Sequence, residues 1–136
     1  MATGKKTILV VDDDHELSEG LRLVLEKKGF HVIQARDGQQ GKQMVYQHRP
    51  DLMILDMMMP RMGGYPVLEH FRGKADAPPV IMITANEGSR HKAYAEYLGV
   101  MDYIRKPFAM ERLLEAVDKA LAAGQAKPEG QDKPQP

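Results

Sequence analysis

Cysteine and tryptophan are both absent from this chain of 136 residues. Without cysteine there is no disulfide, no thiolate metal site and no sulfur nucleophile, which agrees with a reducing compartment. Aromatic residues make up only 6%, which argues against a platform for stacking bases. Excess charge is missing too, because 19 Lys and Arg balance 19 Asp and Glu. No global basic field exists to hold nucleic acid or an anionic membrane. The apolar run that follows the basic N-terminus stops at Asp12, too short for a signal segment or a membrane span. These absences predict a cytoplasmic protein that by itself engages neither nucleic acid nor membrane. What is present, 43% hydrophobic and 28% charged residues, fits one globular domain with a sizeable core.

Apolar runs of strand length alternate with stretches of helical period. Ile8–Val11 reads as a buried strand. Asp14 to Lys28 follows with Leu17, Leu21, Val24 and Leu25 at helical spacing, capped by Asp14 and closed at Gly29. Phe30–Ala35 is the second strand, Asp37-Gly38 a turn, and Gln39–His48 a helix weakened by Gly41. Pro50-Asp51 opens the third strand, which ends at Asp56; Tyr65–Phe71 is a short helix with Pro66 in its first turn. Val80–Ile83, the helix Asn86–Leu98, Met101–Ile104 and the helix Ala109–Ala123 complete the pattern. Five βα units predict an α/β fold with a doubly wound parallel sheet. The expected domain spans residues 7–123, with a flexible N-terminus over 1–6 and a disordered Pro-, Gln- and Lys-rich tail or linker over 124–136.

Polar residues close the strand-like runs: Asp12 and Asp13 the first, Asp56 the third, Thr84 the fourth, Lys106 the fifth. Parallel strands bring their C-terminal ends to one edge, where ligands bind in open α/β folds. Three carboxylates meeting there repel one another, so either a cation compensates them or their pKa values rise. Hard oxygen donors without Cys or His favour Mg²⁺ over Zn²⁺. Asp56, on the central strand, can act as a nucleophile toward phosphorus, with the cation and Lys106 neutralising the transferred oxygens. Asp14 is read as a helix cap alone. Thr84 reads as a strand residue or as a hydroxyl that swings onto a phosphate. Tyr103 reads equally as a core aromatic and as a ring that fills space when Thr84 moves. Met57-Met58-Met59 are soft donors among hard ones, so they are not read as a metal site. The five histidines show no ligand spacing.

The segments Ile8–Asp14, Asp51–Pro60, Ile83-Thr84-Ala85 and Asp102–Phe108 together resemble the receiver domain of two-component response regulators, in particular single-domain chemotaxis-type regulators. The resemblance implies a flavodoxin-like (βα)5 fold with strand order 2-1-3-4-5. It implies Asp56 as phosphoacceptor for a histidine kinase or histidine phosphotransfer protein. Asp12 and Asp13 match an acidic Mg²⁺-binding pair, with Asp13 the preferred direct ligand, and the Met58 carbonyl matches the backbone ligand. Thr84 and Tyr103 match the switch pair, and Lys106 the phosphate-binding lysine, followed by a cis bond to Pro107. Gly63 stands where a polar helix cap is frequent, and Met58 and Asn86 occupy positions that tune self-dephosphorylation.

The function so implied is a switch, not a turnover enzyme. Phosphorylation of Asp56 shifts a two-state equilibrium and repacks the surface of the fourth helix, fifth strand and fifth helix. That surface includes Arg90, His91, Tyr94, Tyr97 and Met101. Its reader is a downstream protein, an output domain, or a second copy in a weak phosphorylation-dependent dimer. Two rivals use the same residues. A Mg²⁺-dependent aspartyl phosphohydrolase normally has a general acid where Met58 stands. A phosphorylation-independent binding module is expected to have lost an acidic residue or the lysine.

Overall fold

The computed structural model describes residues 5–85 and 89–126. Its elements alternate in chain order: β1 Thr7–Val11, α1 His15–Lys27, β2 His31–Ala35, α2 Gly38–His48, β3 Leu52–Asp56, α3 Gly64–Phe71, β4 Val80–Thr84, α4 Ser89–Tyr97, β5 Asp102–Arg105 and α5 Met110–Ala126. The five strands form one sheet in the order β2-β1-β3-β4-β5, every pair parallel. This is the expected flavodoxin-like order, with β3 in the middle.

Side chains alternate across a strand, and the apolar runs use both faces. Ile8, Val10, Leu52, Ile54, Ile81 and Ile83 point to one layer, where Leu21 and Leu25 of α1 and Leu113 and Val117 of α5 cover them. Leu9, Val11, Met53, Leu55 and Met82 point to the other, against Val45 of α2, Val67 and Phe71 of α3, and Ala95 of α4. Strands β3 and β4 are buried at every position, as a sheet covered on both sides requires.

Local signals set most of the helix ends. The Asp14 carboxylate accepts from the Leu17 amide and starts α1, and Gly29 follows it at φ 98. Helix α2 starts one residue earlier than expected because Asp37 caps it from outside, accepting from the Gln40 amide. Helix α5 runs past Gly124 to Ala126 rather than stopping at Ala123; a glycine weakens a helix without ending it. Residues 1–4 of the expected N-terminal segment and 127–136 of the expected tail lie outside the described residues, as do 86–88 at the expected start of the fourth helix.

Candidate functional site

Strand register decides which polar groups meet. Val11 pairs with Leu55, so Asp12 emerges beside Asp56. Asp56 pairs with Ile83, so Thr84 lies one residue further on the neighbouring strand. Thr84 pairs with Arg105, so Lys106 follows directly beyond it. The ladder continues past the strand ends: the Asp12 amide donates to the Ala35 carbonyl at 3.1 Å, Met57 to Ile83 at 3.1 Å, and Lys106 to Thr84 at 2.7 Å. The backbone of the site is thereby an extension of the sheet.

One carboxylate oxygen from each of Asp12, Asp13 and Asp56 lies within 4.8 Å of the others. Asp12 and Asp56 are buried, 2% and 4% exposed, whereas Asp13 faces solvent. The Lys106 ammonium reaches between them, 3.1 Å from Asp12 Oδ2 and 3.6 Å from Asp56 Oδ1. Burial, followed by the charge of Asp12, pushes the Asp56 carboxyl up to about 7, with Lys106 acting in the opposite direction. Lys106 brings a single positive charge to three clustered carboxylates. An all-oxygen donor set with two buried carboxylates and one exposed carboxylate fits a hard divalent cation such as Mg²⁺. Asp12 and Asp13 would hold it together with Asp56.

Asp13 shares an open cleft of about 490 Å³ with Met57, Met58, Met59 and Pro60. The loop after β3 is thus the outer wall of the site. The Met58 amide lies 3.4 Å from Asp56 Oδ1, and the residue is 61% exposed. The loop closes where the Gly64 amide donates to the Met57 carbonyl at 2.9 Å. A Cβ at Gly64 would sit 2.7 Å from the Asp56 carbonyl oxygen, and one at Gly63 2.7 Å from that of Met57. The missing polar cap at Gly63 therefore reflects close packing under the loop.

Asp12, Asp13, Asp56 and Lys106 come together as the sequence suggested, and Thr84 is fully buried at the adjoining strand end. The Lys106–Pro107 peptide is cis. The Tyr103 ring packs against the layer of α2–α4, and its hydroxyl is buried without a hydrogen-bond partner among the described residues. Of the expected output surface, Tyr94, Tyr97 and Met101 are exposed; the Tyr94 hydroxyl donates to Glu69 and Arg72 stacks over the Tyr97 ring, both from the α3 side. Asn86 lies outside the described residues. Two residues escaped the sequence reading. Asp37 was visible only as a turn, although Gln40 three residues on is a capping signal. Arg61 carries no sequence signal; it has φ 64 and donates from Nε to Asp37 Oδ2 at 2.9 Å.

A family model described as the response regulator receiver domain matches residues 8–118. The chain is 38% identical over 127 residues to the response regulator MprA of Mycobacterium sp. (strain KMS), covering 93% of this chain and 55% of that protein. It is 41% identical over 107 residues to MprA of Mycobacterium tuberculosis, covering 79% of this chain and 46% of the relative. The chain thus spans about half the length of the curated relatives it matches. A CheY-like response regulator receiver domain protein from Methanospirillum hungatei superimposes with a TM-score of 0.86 at 26% identity, covering 92% of this chain and all of that one.

Proposed function

Because this chain belongs to the response regulator receiver domain family of two-component signal transduction, we propose that Asp56 is its phosphoacceptor. The observation that carries this is the position of Lys106, within 3.6 Å of Asp56 and 3.1 Å of Asp12, beside an acidic trio suited to a cation. An Asp56 carboxylate oxygen forms a P–O bond as the P–N bond of a phosphohistidine donor breaks and the imidazole leaves. The donor is a histidine kinase or a histidine phosphotransfer protein. Asp12, Asp13, Asp56 and the Met58 carbonyl would hold Mg²⁺, which would supply charge neutralisation for the phosphoryl oxygens.

Lys106 then exchanges its contact with Asp56 for a phosphoryl oxygen, an electrostatic gain in a poorly hydrated crevice. The Thr84 hydroxyl engages a second oxygen, and Tyr103 occupies the space behind it. The α4-β5-α5 surface is repacked and read by a downstream protein or by an output domain. The protein works in the cytoplasm as a monomer or a weak phosphorylation-dependent dimer, and its only chemistry is self-catalysed transfer and slow autodephosphorylation.

The test is intact mass after incubation with Mg²⁺ and a small-molecule phosphodonor, beside an Asp56→Asn control. The expected result is one added phosphoryl group on the wild type, none on the control, and none after chelation. Folded protein that stays unmodified with every donor would establish a phosphorylation-independent binding module in its place.

A further inference from the structure

The loop from Met57 to Gly63 carries the outer wall of the site, and its far end is fastened to another element. Arg61 is its tip. The Met62 amide turns back to the Pro60 carbonyl at 2.7 Å, an i to i+2 closure around a residue with φ 64. Non-glycine residues occupy such a conformation only where surroundings enforce it. The enforcement comes from the start of α2. Asp37 is 6% exposed and holds Arg61 Nε at 2.9 Å with one oxygen and the Gln40 amide at 2.9 Å with the other. The Gly38 amide donates to the Met62 carbonyl at 2.8 Å, and a Cβ on Gly38 would sit 2.6 Å from that oxygen. Backbone and side chain thus clamp residues 61 and 62 from the same point.

Nothing in the phosphoacceptor chemistry uses Arg61, whose side chain is 71% exposed and pairs with Asp37 at the start of α2. Yet an exposed residue in a costly conformation is held by a nearly buried carboxylate. We propose that Arg61 is a positioning residue: clamped by Asp37 and Gly38, it sets the course of the loop and so aims the Met58 carbonyl at the cation. This rests on the functional reading above. The clamp reduces the number of loop conformations that must be given up when the cation binds, which is preorganisation.

The variants are Arg61→Gly, which removes the side chain and tolerates φ 64, and Arg61→Lys, which keeps a cation within reach of Asp37. Mg²⁺ is titrated calorimetrically into the full chain, and amide hydrogen exchange is followed on the metal-free protein. An ion pair with one buried partner is worth about fivefold in an equilibrium. Arg61→Gly is therefore expected to weaken Mg²⁺ binding by about fivefold, with faster exchange confined to Met58–Met62. Arg61→Lys recovers part of both. Wild-type Mg²⁺ affinity in Arg61→Gly overturns the proposal, as does exchange that accelerates across β1 and β3 as well. A wild type that binds no Mg²⁺ overturns the phosphoacceptor reading itself, and this one with it.

Discussion

Replacing Asp56 with asparagine is expected to stabilise the metal-free protein at alkaline pH. The carboxyl has an ordinary value of 3.8 and is raised to about 7 in the fold, first by burial and then by Asp12. A group raised on folding contributes fully below its unfolded pKa, and the contribution is lost as pH rises through the folded pKa. For Asp56 that window runs from about pH 4 to about pH 7. At ~1.36 kcal/mol per pKa unit, an ionised Asp56 costs up to about 4 kcal/mol above the window. Part of that cost belongs to the Asp12–Lys106 pair that surrounds it, so ~2 kcal/mol is a fair expectation for the substitution. The assay is urea unfolding followed by far-ultraviolet circular dichroism in chelator, at pH 5 and pH 8. The advantage of Asp56→Asn over wild type should grow by roughly 1–2 kcal/mol between the two. Packing differences between Asp and Asn do not change with pH, which makes the increment diagnostic. Saturating Mg²⁺ at pH 8 should shrink it, because the cation stabilises only the protein that binds it. An advantage that is the same at both pH values, or larger at pH 5, would refute the electrostatic account of the site.

Gly64→Ala should destabilise the fold by ~2–3 kcal/mol in urea unfolding, since its Cβ would meet the Asp56 carbonyl oxygen at 2.7 Å and Met82 Cε at 2.8 Å. An unchanged midpoint would mean that the loop is not packed under Asp56. Tyr103→Phe removes a buried hydroxyl that has no partner among the described residues, and should raise thermal stability by the equivalent of ~1 kcal/mol. A loss of that size would show that the hydroxyl is hydrogen-bonded.

The strand ends were legible because apolar runs are interrupted abruptly by charge. Asp56 after Leu52–Leu55 needs no tertiary knowledge to be seen, and the parallel topology then gathers the ends. The glycines were legible only as residue types. Gly41 read as a weakness of α2, but a Cβ there would press on the Val11 side chain at 3.1 Å, so its smallness lets helix and strand approach. Gly38 likewise answers to Met62, 24 positions away in sequence, and only the fold shows that proximity. Arg61 was invisible because its role depends on a φ value and on a carboxylate from another element. The reach of α5 beyond Gly124 was misjudged because a composition shift marks the onset of polar sequence, not the point where a continuous hydrogen-bond ladder breaks.

The hydrogen bonds from Met57 to Ile83 and from Lys106 to Thr84 divide the site into two mechanical parts. Asp12, Asp56 and Lys106 are mounted on a stiff plate that yields only when the whole sheet does. The loop from Met58 to Gly63 is a cantilever, sprung from Met57 and propped at Arg61. A local opening of the loop therefore breaks fewer sheet hydrogen bonds than any displacement of the plate. An opening of the loop alone would shift the Met57–Pro60 wall past Asp13 while Asp12, Asp56 and Lys106 keep their register.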